Sequence, residues 1–322
     1  MSAMPEDTRR LVFMGTPEFS IPALMQLMKT EHDIVAVYTQ PDKPSGRGRT
    51  PTYSPVKKTA LEHGLKIVQP VRLRDQVEVD RLAALSPDLI VVVAYGQILP
   101  QNILDIPRFG CLNLHPSLLP AYRGPAPIPS AILAGDKETG VTIMLMDAGM
   151  DTGPVVSQLV VHIEPNDTAE SLSERLSLTG ARLLYETLDV WFEGILKPKP
   201  QDDTLATYSV QMRKEDGVIN WNQPAEGIWR RIRAFYPWPG SYTWWNGKML
   251  RILEALPIHC EEHFQVGAVL SLESDQPTTV GIQTGEGILG LITIQLEGKR
   301  PMSAGEFIRG QRKFVGSFVG GK

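Results

Sequence analysis

Asn113 and His115 stand two residues apart in Cys111-Leu-Asn-Leu-His-Pro-Ser-Leu-Leu-Pro120. On a strand, residues two apart face the same side. A histidine with its usual pKa near 6.5 can move a proton at neutral pH. An asparagine amide beside it can donate to a developing oxyanion. A second polar cluster, Asp147-Ala-Gly-Met-Asp-Thr-Gly153, follows another apolar run. Asp147 and Asp151 both compete to orient the His115 ring. Each residue also has a plain structural reading. Asn113 can cap a sheet edge, Asp151 among glycines can simply form a turn, and a lone histidine is more often a satisfied structural group. The position of His115 at a strand end, before a proline-bracketed loop, favours chemistry, because open α/β sheets bind ligands outside the carboxyl ends of their strands.

The elements that position these residues read as alternating strands and helices. Strands are predicted at Arg10–Gly15, Asp33–Thr39, Lys66–Val68, Leu89–Ala94, Cys111–His115 and Thr142–Met146. Leu89–Ala94 is apolar throughout, the pattern of a strand buried on both faces. Helices are predicted at Glu18–Lys29, Ser54–Glu62, Gln76–Leu85 and Thr168–Phe192. Ser54-Pro55 supplies a cap and first turn, and Gly64 a stop. The alternation predicts an open, mostly parallel sheet with right-handed crossovers.

Beyond residue 206 the pattern changes. Ala206–Tyr208, Gly240–Trp245, Met249–Ala255, Gly267–Leu272, Thr279–Thr284 and Gly287–Leu296 read as short strands joined by turns, with one helix at Pro224–Ala234. This pattern predicts a smaller barrel or sandwich. Composition shifts at the same place. Residues 1–206 carry 19 basic and 25 acidic side chains, whereas residues 207–322 carry 13 and 11, and all six tryptophans lie at or beyond Trp191. Lys197-Pro-Lys-Pro200 favours an extended tether across Gly194–Thr204. The expected organisation is therefore a domain over residues 1–193, a linker over 194–206 and a β-barrel domain over 207–322.

The two cysteines, Cys111 and Cys260, have no ligand-like spacing, which speaks for a reducing compartment and against a disulfide framework or a metal site. The net charge of −4 by itself speaks against a nonspecific nucleic-acid coat. No apolar run approaches a membrane span, and the first residues lack a signal peptide's apolar core. A cytoplasmic protein is expected.

Three further features admit ligand readings. Gly15-Thr16-Pro17 is either a tight strand-to-helix turn or a small-ligand contact, and it lacks the spacing of a pyrophosphate loop. The long loop Gln40–Tyr53 holds Lys43, Arg47 and Arg49 among Gly46 and Gly48. It is either a solvated basic loop or one that orders on a phosphate backbone. Arg230, Arg231 and Arg233, with Arg309, Arg312, Lys313 and Lys322, could flank an RNA backbone, while the nearby aromatics more readily pack the barrel.

Taken together, Phe13-Met-Gly-Thr-Pro-Glu-Phe19, the Gln40–Gly48 loop, Val92–Pro100, Asn113–Ile128, Asp147–Gly153 and Ala234–Pro239 closely resemble the methionyl-tRNA formyltransferase family over essentially the whole chain. The Asn/His/Asp set alone also resembles purine-pathway and sugar-nucleotide formyltransferases and formyltetrahydrofolate hydrolase or dehydrogenase. The basic loop and the second domain select the tRNA enzyme.

The resemblance implies a formyltransferase-type, Rossmann-like α/β domain followed by an OB-like barrel that contacts tRNA. It implies catalytic roles for Asn113, His115 and Asp151. It places the donor, 10-formyltetrahydrofolate, near Tyr95, Gln97, Ile98 and the Ser117-Leu118-Leu119-Pro120 segment. The methionyl end of initiator methionyl-tRNA falls near Gly15, Thr16 and Pro17, and its acceptor stem near Lys43, Arg47 and Arg49. No metal and no permanently bound cofactor are implied. The expected state is a monomer away from membranes.

Overall fold

The computed structural model describes residues 8–45, 50–260, 262, 264–273 and 278–321. The chain divides into two units. The first comprises residues up to Pro127, Glu138–His162 and Ser173–Ser209; the second comprises Ile128–Lys137, Ile163–Leu172 and the chain from Val210 onward.

The first unit is built on β1 (Arg10–Gly15), β2 (Asp33–Tyr38), β5 (Ile67–Val68), β6 (Leu89–Val93), β7 (Cys111–His115), β8 (Glu138–Leu145) and β9 (Val155–His162). Its sheet runs β5-β2-β1-β6-β7-β8-β9. The pairs from β5 through β7 are parallel, whereas β7–β8 and β8–β9 are antiparallel. Thr142–Met146 is thus not a further parallel strand. It is the end of an antiparallel β8, followed by β9, which sequence reading missed. The helices are α1 (Ile21–Leu27), α2 (Pro55–Glu62), α3 (Gln76–Ala84), α4 (Gln101–Leu104) and α6 (Ala169–Phe192), with α5 (Pro127–Ala134) and the start of α6 crossing into the second unit. Glu18–Ser20 forms a separate 3-10 turn before α1.

Local chemistry explains these elements. Every residue of β6 and β7 is buried, as expected for central strands covered on both faces. The N-cap of α2 is Ser54, whose hydroxyl accepts the Lys57 N–H at 3.0 Å, and Pro55 fills the first turn. Gly64 ends that region at φ +67°. The chain visits β2 and β5 on one side of β1 and then crosses to β6 on the other. The carboxyl ends of β1 and β6 therefore flank a topological switch, the place where such sheets hold ligands.

The described parts of the segment from Gln40 to Tyr53 include paired strands rather than plain loop alone. Strands β3 (Lys43–Ser45) and β4 (Thr50–Thr52) pair antiparallel. Arg47 and Arg49, with Gly46 and Gly48, lie outside the described residues.

The second unit is a curled antiparallel sheet in the order β10 (Ser241–Trp245), β11 (Lys248–Ile258), β14 (Ile288–Leu296), β13 (Val280–Gln283) and β12 (Val269–Ser271), with β15 (Met302–Ser303) paired to β14. Of the barrel or sandwich that the strand pattern allowed, this is a curled half-barrel, consistent with the OB-like domain that the resemblance implied. Helices α7 (Ala225–Ala234) and α8 (Ala304–Gly310) accompany it, and Ser303 with Glu306 closes a capping box on α8. Trp245, Phe307 and Phe314 meet edge to face in the core, with Trp245–Phe314 centroids 5.1 Å apart. Ala206–Tyr208 does not join this sheet. Tyr208 instead bridges to Arg123 within the first unit.

Candidate active site

β7 ends in the two residues singled out from its sequence. Asn113 and His115 are 9% and 5% exposed. They share a face because they are two apart on a strand. The Asn113 amide makes no hydrogen bond among the described residues.

The His115 ring lies between two acceptors. Its Nδ1 is 3.7 Å from Asp151 Oδ2, and its Nε2 is 3.1 Å from the carbonyl oxygen of Tyr122. Burial pushes the imidazole pKa below its usual value, and this outweighs the Asp151 charge and the Tyr122 carbonyl, which push it up. The ring is therefore held toward its neutral, proton-accepting form near neutral pH.

Asp151 and Asp147 are separated by what they bond. Asp147 Oδ1 accepts from Gly149 N–H at 3.0 Å and from the Thr152 hydroxyl at 2.7 Å, so it closes its own turn. Asp151 Oδ2 accepts from Gly124 N–H at 2.7 Å while facing His115. Asp151 is also left-handed, at φ +54°, as is Tyr122 at +58°. Such conformations persist in residues with side chains only where the surroundings impose them. Gly153 permits the close return of this loop, since a Cβ there would lie 1.9 Å from the Leu145 carbonyl oxygen.

The segment after β7 is pinned by β8 and β9. The Thr142 hydroxyl donates to Ser117 O at 2.6 Å and accepts from Leu119 N–H. The Gln158 amide reaches Leu119 O at 2.8 Å and Thr142 Oγ1 at 2.9 Å. Ser117 is wholly buried and donates its hydroxyl to Ala121 O at 2.6 Å. Leu119 is buried, Leu118 and Pro120 are half-buried, and the Leu119–Pro120 bond is cis. The loop is thus a preformed edge rather than a slack connection.

At the neighbouring strand ends, the Thr16 hydroxyl donates to Tyr95 O at 2.9 Å, and Gln40 reaches both groups. Gly15 ends β1 beneath Phe13 and Ser20, and Pro17 is exposed. The Tyr95 ring is 1% exposed, and burial pushes its phenol pKa up. Only its backbone reaches this edge. The Gln97 amide is committed to the chain before it, accepting from Leu73 N–H at 2.8 Å and donating to Pro70 O at 3.0 Å. Ile98 is 86% exposed. Of the expected donor-side residues, Ile98 is exposed and the Ser117–Pro120 edge is held by Thr142 and Gln158, whereas the Tyr95 ring is buried and the Gln97 amide bonds Leu73 and Pro70.

Asn113, His115 and Asp151 are brought together, while Lys43 lies on the separate β3–β4 hairpin. In the second unit the arginine cluster is partly spent. Arg230 pairs with Glu226 at 3.1 Å, Arg231 donates to Asp216 O, and Arg233 stacks over Trp229 at 3.9 Å. Among the described residues, no cluster of metal-ligating side chains occurs, and no helix is long and apolar enough to cross a membrane.

The chain is similar to known proteins over both units. The formyl transferase family profile matches residues 9–188, and the profile of the formyl transferase C-terminal domain matches residues 211–312. A methionyl-tRNA formyltransferase of Agathobacter rectalis is 43% identical over 96% of this chain and 99% of its own length. One from Dehalococcoides mccartyi is 47% identical over 97% of this chain and 98% of its own. The chain belongs to the methionyl-tRNA formyltransferase family. The fold also matches a structure of HypX from Aquifex aeolicus in complex with tetrahydrofolic acid, at a TM-score of 0.63 and 20% identity, covering 96% of this chain and 48% of that one.

Within this family member, sequence reading missed the residues that hold the site. Arg123, 1% exposed, donates to Gln201 and Asp203, and Gln201 donates to the backbone of the Asp151 loop. Arg123 lies inside the recognised Asn113–Ile128 stretch, but its partners are 78 and 80 residues away and carry no local pattern.

Proposed function

We propose that this chain transfers the formyl group of 10-formyltetrahydrofolate to the α-amino group of methionine on initiator tRNA. The observation that carries the reading is the 43–47% identity to curated methionyl-tRNA formyltransferases across both units. The likeness to a tetrahydrofolate-bound neighbour of the same fold supports a reduced folate as the donor.

The α-amine attacks the formyl carbon as its free base. A new N–C bond forms, and the carbonyl π pair moves onto oxygen. The uncommitted amide of Asn113 donates to that oxygen. The amine then loses a proton to His115. His115 returns the proton to N10 of the folate as the C–N10 bond breaks, releasing tetrahydrofolate and leaving a formamide.

The surroundings of His115 favour one direction of proton flow. A neutral imidazole carries one N–H but faces two acceptors. The Asp151 charge favours the proton on Nδ1. With the second proton on the ring, each nitrogen faces its own acceptor, Nδ1 toward Asp151 and Nε2 toward the Tyr122 carbonyl, so both acceptors favour proton uptake. Asp151 also stabilises the imidazolium that forms.

The second unit and the segment holding Lys43, Arg47 and Arg49 are assigned to tRNA, with residues 1–193 as the catalytic domain, 194–206 as the linker and 207–322 as the tRNA-binding domain. Gly15, Thr16 and Pro17 are assigned to the methionyl end. The enzyme is placed in the cytoplasm, acting as a monomer.

The test is formyl transfer from 10-formyltetrahydrofolate to charged initiator tRNA, charged elongator tRNA and free methionine. Rapid transfer to the first with little to the others is expected. Equal transfer to free methionine, or donor hydrolysis without transfer, would shift the reading to a small-molecule formyltransferase or a folate hydrolase.

A further inference from the structure

Residues 199–209 thread along the catalytic loops instead of hanging free. Lys199 and Val155 exchange backbone hydrogen bonds of 2.8 Å. The Gln201 amide donates to Asp151 O at 2.8 Å and to Gly153 O at 2.6 Å. Its oxygen accepts from Arg123 Nε at 3.1 Å and Nη2 at 2.9 Å. Arg123 Nη2 also donates to Asp203 at 2.7 Å. Farther along, the Thr207 hydroxyl accepts Tyr122 N–H at 2.8 Å, Thr207 O accepts Arg123 N–H at 2.9 Å, and Ser209 N–H donates to Arg123 O at 2.8 Å.

These bonds converge on two residues. Tyr122 and Asp151 supply the two acceptors that face the His115 ring, and both are left-handed. Thr207 holds the first and Gln201 the second. Every polar atom of the Gln201 side chain is used, its two donors on the Asp151 loop and its acceptor on the buried guanidinium. We infer that Gln201 is a positioning residue for formyl transfer: it ties the Asp151 loop to Arg123 and so sets the carboxylate against His115. The inference rests on the proposed roles of Asp151 and His115.

Gln201 touches no reacting group, so its loss acts through the ring. Without the amide, the Asp151 backbone relaxes from its left-handed conformation, and the carboxylate drifts from Nδ1. A misplacement of about 1 Å in such a constellation can cost on the order of 100-fold in rate.

The experiment compares Gln201→Met, which keeps length without polar atoms, Gln201→Glu, which keeps an oxygen for Arg123 but loses both donors, and Asp151→Asn. Single-turnover formyl transfer is measured across pH with saturating donor and charged tRNA, with KM for each substrate. The His115 ring is titrated by NMR in the same proteins. Both Gln201 variants are expected to lower kcat by about 10- to 100-fold, leave KM within threefold, and shift the His115 titration downward as Asp151→Asn does.

If Asp151→Asn slows transfer and shifts His115 while neither Gln201 variant does, the positioning inference is overturned and the catalytic reading survives. If Asp151→Asn changes neither, the proposed role of Asp151 falls first and the inference with it. Loss of fold in both Gln201 variants, or a slower rate with an unshifted His115, assigns Gln201 to stability alone and also overturns the inference.

Discussion

Asp151 Oδ2 stands 3.7 Å from His115 Nδ1, an ion-pair separation rather than a hydrogen bond. The same oxygen makes its short bond, 2.7 Å, to Gly124 N–H. In this state the carboxylate acts on the ring by charge, from a position fixed by backbone. Catalytic hydrogen bonds often tighten only once substrate is present.

Asp151→Asn should therefore reduce turnover by on the order of 10²–10⁴-fold, because a neutral amide does not favour the imidazolium. Asp147→Asn should keep kcat within threefold, since among the described residues Asp147 bonds only Gly149 and Thr152. Its cost should appear as a stability loss of about 1 kcal/mol from weakened turn bonds. Parallel rate and melting measurements on the two variants check this. A larger rate defect in Asp147→Asn would reverse the assignment of the two carboxylates.

His115 makes the fold sensitive to acid. Its pKa in the folded chain lies below the ordinary value because burial disfavours the cation. The unfolded chain then binds the proton first as pH falls, so stability is fully present above about pH 6.5 and declines below it, toward the folded-state pKa. His115→Asn should flatten this part of the profile while slowing transfer by about 10²–10⁴-fold. Melting curves of parent and variant between pH 8 and pH 5 isolate the contribution, because the other five histidines are common to both. Parallel curves with an unchanged offset would show that burial does not govern this ring.

Asn113 tests the oxyanion step. Its amide is nearly buried at the β7 end and bonds nothing among the described residues. Asn113→Ala should lower kcat by on the order of 10²–10³-fold and leave the donor dissociation constant within threefold. Since no protein bond is lost, the melting temperature should hardly move. Equal losses in binding and rate, with a lower melting temperature, would make Asn113 a structural edge amide.

How much of this site was legible follows from the range of each signal. Asn113 and His115 stood out because two polar residues interrupt an otherwise apolar strand before prolines. Asp151 was visible only as one of two carboxylates, and the choice needed the distances. β9 was missed because Val155-Val-Ser-Gln-Leu-Val-Val-His162 does not alternate cleanly in polarity although its burial largely does. Ala206–Tyr208 looked like a barrel strand because it follows an apparent tether and resembles β structure in composition. The chain uses it to pair with Arg123. The Arg123–Gln201 contact spans 78 residues, and no periodicity encodes a contact of that kind.

The hairpin of β3 and β4 bears on the RNA reading. Its base is tied down where Asp42 accepts from Lys57 Nζ at 2.6 Å and from the Gln69 amide at 2.9 Å. The bond from Lys57, followed by that from Gln69, lowers the Asp42 pKa. A fixed base brackets residues 46–49, which carry two arginines and two glycines. An arginine pair in this sequence suits phosphate binding, which gives affinity with salt dependence and little effect on a folate. Arg47→Ala with Arg49→Ala should therefore lower kcat/KM for the charged tRNA. It should also reduce the slope of log affinity against log salt by about one for each phosphate no longer neutralised, up to about two in the pair. Donor affinity should stay constant, because the Ser117–Pro120 edge is held by Thr142 and Gln158 rather than by the hairpin. Lys43→Ala, at the start of β3, is the milder comparison. Titrations of tRNA over a salt series, beside donor titrations, read all three variants. Unchanged tRNA affinity and turnover in the double variant would remove this segment from tRNA binding and leave the second unit to account for it.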